Sequence, residues 1–166
     1  MERELTYEEA DNTTRRQYDR LELRIESYKY GMGTGPAVQI FINGVSFLDR
    51  VMMYEKEQEA LQKGRVTADT YAPISPYDLY QELSQSYKEW PDVLLFGCPY
   101  DGEPMCLPFY ASVDVGRFAV VWYGFRGEYQ RVRLNYRGLG RFVFEKNQYF
   151  RELKKLKQWL SENENE

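Results

Sequence analysis

The sequence predicts an α+β fold: a single domain with a largely antiparallel sheet of about six to seven strands, helices packed mainly on one face, and a C-terminal helix. Two observations predict this class. Short segments of alternating apolar residues follow one another with brief turns between them, as antiparallel neighbours require. Three other segments repeat their apolar residues at helical spacing. At 166 residues, the chain is long enough to bury one core of ordinary size.

Alternation predicts the first two strands. In "DRLELRIESYKY" every second residue from Leu21 to Ile25 is apolar, and "AVQIFI" alternates in the same way. Asn43-Gly44 then predicts a tight hairpin, because both residues tolerate the positive φ of a type I′ turn. The stretch "GMGTGP" between the two strands is expected to be a loop. It lacks the spacing of a phosphate-binding loop.

Two helices are predicted in the middle of the chain. The first begins near Leu48 and is expected to end at Gly64. The second has Ser75 in the N-cap position and Pro76 in its first turn, and Pro91 is expected to close it. The predicted buried residues are Phe47, Val51, Tyr54 and Leu61 in the first helix and Tyr77, Leu79, Tyr80 and Leu83 in the second.

The remaining chain is predicted to be mainly β. "DVLLFGC" is a nearly continuous apolar run and predicts a central strand. "MCLPFYASVDV", "RFAVVWYGF" and "QRVRLNYR" predict three more strands, with "RGE" separating the last two, and "RFVF" predicts a short final strand.

A final helix is expected after "RFVF", capped by Asn147, with its inner face formed by Tyr149, Leu153, Leu156 and Leu160. The predicted organisation is a polar N-terminal arm over residues 1–18, a single domain over 19–160 and a disordered acidic tail over 161–166.

The absence of histidine excludes several kinds of chemistry. Ser-His-Asp and Cys-His catalysis and H-E-x-x-H proteases all need an imidazole, and the chain has none. Paired-carboxylate hydrolysis is not favoured, because Glu55, Glu57 and Glu59 follow one helix and are expected on its solvated face. The composition therefore indicates a protein that is not an enzyme and that uses no cofactor.

Nothing in the sequence predicts a membrane protein. No apolar run approaches twenty residues, and the charged start "MERELTYEEADNTTRRQ" lacks the apolar core of a secretory signal. The cytoplasm is therefore the expected compartment.

The stretch "GCPYDGEPMCLP" holds both cysteines of the chain, Cys98 and Cys106. Asp101-Gly102 predicts a turn with a three-residue loop, which would place the two cysteines opposite each other across a hairpin. Reduced structural thiols are expected, with a disulfide as an alternative. A metal site is the weaker alternative, because two cysteines without histidine offer too few zinc ligands unless Asp101, Glu103 or a second chain contributes.

Three runs carry a resemblance to a known family: "LLFGCPYDGEPMCLPFYASVDVGRFAVVWYGF", "FINGVSFLDRV" before it and "GLGRFVFEKNQYFRELKKL" after it. They resemble a family of small uncharacterised bacterial proteins with a G-C…C-G-E…C-x-P core, a V-x-W-x-x-F strand and a final F-x-F-x-x-x-x-Y strand-to-helix element. The resemblance covers roughly residues 38–160. Pro99 and Tyr100 stand where that family often has a further cysteine. The resemblance implies a fold and no activity.

Charge is distributed unevenly along the chain. Residues 117–151 hold eight Lys or Arg against two Glu, about +6, which leaves about −10 for the rest. Within this segment, "RVRLNYR" is expected to place its arginines on one face of a strand, near two tyrosines that can stack on bases. An ordinary polar outer face is the alternative interpretation. The candidate binding residues are Arg131, Arg133, Arg137, Tyr123 and Tyr129.

The functional hypothesis is a non-enzymatic cytoplasmic binding protein that acts through a basic protein partner, specifically an immunity-type or antitoxin-type inhibitor. It depends on the abundant tyrosine, the acidic remainder and the missing imidazole. The alternative is a nucleic-acid-binding module that uses the Arg/Tyr strand face, although the pI near 5.1 disfavours it. A small enzyme using carboxylates or tyrosine is a third hypothesis.

Overall fold

The computed structural model describes residues 18–61, 71–85, 92–103, 108–129 and 132–163. They form an α+β domain, as predicted, with three helices and nine strands in this part of the chain. The order is β1 (Leu21–Tyr30), β2 (Gly33–Ile42), β3 (Val45–Ser46), α1 (Phe47–Leu61), β4 (Ala72–Pro73), α2 (Pro76–Ser84), β5 (Asp92–Gly97), β6 (Phe109–Val115), β7 (Ala119–Tyr129), β8 (Val132–Asn135), a 3₁₀ turn (Arg137–Leu139), β9 (Phe142–Glu145) and α3 (Lys146–Glu162).

The strands divide between two antiparallel sheets. The smaller sheet has the order β1-β2-β3. The larger has six strands in the order β4-β5-β6-β7, with β8 and β9 both paired to the far edge of β7. The long strand β7 accommodates both, because β9 pairs with residues 119–122 and β8 with residues 126–129.

Backbone contacts join the two sheets at two places. The Asp19 N–H donates to the Val143 carbonyl over 2.8 Å, and the Asp19 carboxylate accepts the Val143 N–H over 2.8 Å. At the other side, the Val38 N–H of β2 donates to the Ile74 carbonyl over 2.9 Å. These bonds fix the position of the β1–β2 hairpin against the larger sheet.

Helix α3 covers the start of the open edge of β1. The side chain of Gln148 accepts the Leu21 N–H over 3.1 Å, and Glu152 accepts the Leu23 N–H over 2.9 Å. Both polar side chains are buried. Their burial is stabilised because they satisfy edge N–H groups that no strand pairs.

The core is built around aromatic rings. Phe47, the first residue of α1, is fully buried, with the centroids of five rings 5.1–6.4 Å from its own. Trp122 is also fully buried and donates its indole N–H to the Tyr149 hydroxyl over 3.1 Å. The rings around Phe47 belong to Phe96, Phe109, Trp122, Phe125 and Phe142.

Several predicted elements are confirmed. Asn43 and Gly44 both have positive φ, 56° and 79°, between β2 and β3. Ser75 caps α2, since its hydroxyl accepts the Asp78 N–H over 3.1 Å, with Pro76 as the first residue. Strand β5 lies between β4 and β6 and is buried from Val93 onward.

The predicted glycine-rich loop is wrong. Residues 33–36 belong to β2 and continue its pairing with β1 as far as Tyr30↔Gly33, so only residues 31 and 32 form the turn. Pro36 is tolerated in a strand because its nitrogen faces away from β1, where no ladder bond is needed. The tertiary pairing therefore overrides the local turn signal of "GMGTGP".

Three predicted boundaries also differ. Residues 126–128, expected to separate two strands, lie inside β7 because all three pair with β8, and residues 126 and 127 also pair with β6. Helix α3 begins at Lys146 with Glu145 as its cap, two residues before the predicted Asn147, and it continues through Ser161 and Glu162 of the expected tail. The ends predicted at Gly64 and Pro91 lie outside the described residues, as do residues 1–17 and 164–166.

Most of the predicted buried residues are buried. Tyr54 and Tyr80 are only half-buried, and the side chain of Leu61 is not described. Tyr77 is 61% exposed, because α2 begins at the rim of the fold and buries Leu79 and Leu83 instead. Leu160 is only half-buried, near the end of α3. Tyr149, Leu153 and Leu156 are buried as expected.

Replacing Leu156 with alanine is expected to cost about 2–5 kcal/mol of the free energy of unfolding, because its fully buried side chain would leave a cavity. Urea denaturation of the variant measures this loss. Lys157→Ala is the control, since Lys157 is exposed on the same helix. Equal midpoints for Leu156→Ala and the unmodified protein would contradict the docking of α3 through this residue.

Candidate functional site

An open groove of about 400 Å³ lies where three segments of the fold meet. These are the tip of the β1–β2 hairpin, the N-terminus of α2 and the turn over residues 98–103 that follows β5. We call this the hairpin groove. The residues that line it are Tyr30, Met32, Gly33, Thr34, Gly35, Pro36, Ser75, Asp78, Asp101, Gly102 and Glu103.

Tyr30 anchors one wall of the hairpin groove. Its side chain is 9% exposed and its hydroxyl donates to the Pro73 carbonyl over 2.6 Å. Burial raises the pKa of Tyr30 to about 12, so the hydroxyl stays neutral at physiological pH. Gly102 has a φ of +76°, and a Cβ there would lie 2.9 Å from the Tyr30 ring. Only glycine therefore lets this turn approach the tyrosine so closely.

Backbone hydrogen bonds tie the turn to the hairpin tip. The Cys98 N–H donates to the Glu103 carbonyl over 3.2 Å, and the Gly102 N–H donates to the Cys98 carbonyl over 2.7 Å. On the outside, the Gly31 N–H donates to the Pro99 carbonyl over 3.0 Å. The groove therefore has a fixed backbone frame on this side.

The cysteine of this turn, Cys98, bonds through its backbone to Glu103. Its predicted position opposite Cys106 across a hairpin stays a prediction. Cys98 is a buried free thiol whose sulfur accepts the Tyr100 N–H at 3.4 Å. Cys106 lies outside the described residues. Within the described ranges, no group of three His, Cys, Asp or Glu side chains is arranged to hold a metal ion.

The hairpin groove combines negative charge with exposed apolar surface. Its lining contains the carboxylates of Asp78, Asp101 and Glu103 and, among the described residues, no lysine or arginine. The side chain of Met32 is 66% exposed in the groove, and Tyr100, beside Asp101, is 62% exposed. This pairing of carboxylates with unburied large side chains is suited to a cationic partner that also buries apolar surface.

The predicted Arg/Tyr face is only partly described. Arg131 lies outside the described residues, and Arg133 and Tyr129 lie in β8 and at the end of β7, with side chains that are not described. Tyr123 is half-buried in β7. Arg137 is exposed but lies in the 3₁₀ turn after β8, so the prediction that it shares a strand with the other arginines is wrong.

Part of the basic segment is neutralised within the fold. Arg126 forms an ion pair with Asp92, the first residue of β5, and donates to the Ser112 hydroxyl of β6 over 3.2 Å. Its guanidinium also lies 5.6 Å from the centroid of the Tyr110 ring. Arg126 is therefore partly engaged in internal contacts, which weakens a continuous cationic surface on this segment.

Glu55 is a buried carboxylate that the sequence pattern placed on an exposed face. It is fully buried, and its carboxylate accepts the Tyr136 hydroxyl over 2.9 Å. The Tyr71 hydroxyl lies 3.4 Å from that of Tyr136. Burial is the main reason that the pKa of Tyr136 lies well above 10, and the neighbouring Tyr71 and Glu55 raise it further. The helical spacing of Glu55 gave no signal for this cluster, because its partners come from distant segments.

None of the described helices is long and apolar enough to cross a lipid bilayer.

The chain matches no protein-family model, and comparisons with curated proteins and with solved structures find no match. The motif resemblance to small bacterial proteins stays a prediction.

Proposed function

We propose that this protein is a non-enzymatic cytoplasmic binding protein that captures a basic protein partner through the hairpin groove, in the manner of an immunity-type or antitoxin-type inhibitor. The observation that carries the proposal is the meeting of three carboxylates, Asp78, Asp101 and Glu103, with exposed Met32 in one groove.

Two properties of the groove support a protein ligand. Exposed Met32 in the groove, with exposed Tyr100 next to Asp101, supplies the apolar contact area on which protein interfaces depend. The carboxylates supply complementarity to a cationic surface, which speeds association and selects against acidic proteins. A basic enzyme, such as one that acts on nucleic acid, has the charge that fits this surface.

The alternative is nucleic-acid binding through Arg131, Arg133 and Arg137 with Tyr123 and Tyr129. Phosphate contacts of this kind would make affinity fall steeply with salt. The groove carboxylates repel phosphate, and Arg126 is already paired with Asp92. Both features favour the protein-partner proposal, and one experiment compares the two.

The test is affinity capture from a native lysate, with the purified protein as bait and both protein and nucleic acid quantified. The key variant is Asp78→Asn, Asp101→Asn, Glu103→Gln. We expect a basic protein to be captured by the parent and lost with this variant, because three neighbouring charges disappear while shape is kept. The matched control is Asp49→Asn, Glu57→Gln, Glu162→Gln, which removes three exposed carboxylates that do not line the groove.

The control should retain the captured protein, and nuclease treatment of the lysate should change nothing. Equal capture by the groove variant and the parent would contradict the proposal. So would recovery of nucleic acid that disappears in an Arg133→Ala, Arg137→Ala variant, since that result would favour the strand-face alternative.

A further inference from the structure

The outer edge of β2 forms one side of the hairpin groove, and its backbone polarity follows from the register. The N–H groups of Leu21 and Leu23 in β1 point away from β2, since side chains of α3 accept them. In an antiparallel pair, when the N–H of one residue points away from the partner strand, the N–H of the residue opposite it also points away from the first strand. Thr34 is opposite Lys29, so its N–H and carbonyl point outward, toward the groove.

A hydrogen bond of β2 itself confirms that its even-numbered residues direct their N–H groups away from β1. Val38, four residues after Thr34, donates its N–H outward to Ile74 over 2.9 Å. Beyond Ile74 the chain turns into α2, so no described strand pairs with β2 beside Thr34, which lines the groove. Thr34 is exposed, and its N–H makes no hydrogen bond within the described ranges. Pro36 has no N–H, so this edge offers one donor, at Thr34, and two carbonyls, those of Thr34 and Pro36, which suits a short extended segment.

Gly35 leaves open space on the face of β2 next to this edge. A Cβ added at Gly35 would meet nothing within 4 Å, so the internal packing of the fold does not require glycine at this position. Glycine within a strand is typical of places where a second backbone approaches closely. The open volume at Gly35 and the outward Thr34 backbone lie in the same groove as the three carboxylates.

We infer that the hairpin groove binds an extended, lysine- or arginine-containing segment of the partner, which adds to the edge of β2 by backbone pairing at Thr34. Main-chain bonds then supply part of the affinity, and Asp78, Asp101 and Glu103 select alternate cationic side chains. This inference rests on the proposed function and specifies how the partner is held.

The probe is a fluorescein-labelled hexapeptide of alternating lysine and valine, titrated with the full chain and followed by fluorescence anisotropy at about 50 mM salt, where charge contacts are weakly screened. A second peptide of the same sequence, N-methylated at every residue after the first, keeps the charge but loses the backbone donors on both of its edges. We expect saturable binding of the first peptide and about tenfold weaker binding of the second, as the loss of backbone hydrogen bonds requires.

Two variants locate the edge. Thr34→Pro removes the outward N–H, and Gly35→Val fills the open space; each should weaken the alternating peptide by about tenfold. The control is Ser27→Pro in β1. Ser27 also has an outward N–H that β2 does not use, so this proline removes an equivalent donor on the opposite edge of the same hairpin. Ser27→Pro should bind as the parent does, and circular dichroism should show all three variants folded.

The inference is wrong if the parent shows no saturable binding, if both peptides bind equally, or if Ser27→Pro loses as much affinity as Thr34→Pro. The N-methylated peptide gives this answer even if a proline variant fails to fold. Capture of a basic protein that depends on the groove carboxylates, together with peptides that do not bind, would leave the proposed function standing and remove only the strand-addition mode. Peptide binding without such capture would support the strand-addition mode and contradict the proposed capture of a basic protein.

Discussion

Replacing Phe47 with alanine is expected to lower the free energy of unfolding by about 3–5 kcal/mol, a large share of the roughly 5–15 kcal/mol that holds a domain of this size together. Phe47 is fully buried and its ring lies among five others, from β5, β6, β7 and β9. Its removal would open a cavity that neighbouring rings cannot fill without leaving their preferred rotamers.

The measurement is the urea midpoint of unfolding, with Phe118→Ala as the matched control. Phe118 is 42% exposed, so the same substitution there should change the midpoint little. Equal midpoints for the two variants would show that the aromatic cluster around Phe47 is not the centre of the core.

The second large effect is expected at high pH: the fold should lose stability steeply above about pH 10. Burial raises the pKa of Tyr30 to about 12 and places those of Tyr136 and Tyr149 above the ordinary value of 10.0. Below pH 10 these hydroxyls are protonated in both the folded and unfolded states. Above it the unfolded chain releases protons that the folded chain retains, so unfolding becomes more favourable.

Each such tyrosine contributes a slope of at most about 1.4 kcal/mol per pH unit, so the three together lower the free energy of unfolding by at most about 4 kcal/mol per unit between pH 10 and 12. Tyrosinate absorbance and circular dichroism, followed together, test this. We expect a cooperative step in which buried tyrosines ionise as secondary structure is lost. Tyr30→Phe should make the pH dependence shallower. Ionisation of all fifteen tyrosines near pH 10 with unchanged circular dichroism would contradict the prediction.

The sequence does not predict the hairpin groove, although local patterns indicate two of its parts separately. Asp101-Gly102 indicated a turn and "GMGTGP" a loop, but no local pattern relates residues 31–36 to residues 75–78 and 101–103. The bonds that bring them together, such as Gly31 to Pro99, join positions that are far apart in the chain. The candidate residues of the Arg/Tyr face come instead from one local run of sequence, and that is why the prediction places Arg137 on a strand and not in the 3₁₀ turn.

The sequence by itself determined the α+β class, the β1, β5 and α3 segments, the Asn43-Gly44 turn and the Ser75 cap. Each of these depends on local periodicity or on backbone preferences of neighbouring residues. Only the tertiary structure decided that Gly33–Pro36 pairs as a strand, that β7 accepts two partners on one edge, and that Glu55 is buried against Tyr136. These outcomes depend on hydrogen bonds and packing between distant segments, whose free energy exceeds the weak local preferences that a sequence pattern reports.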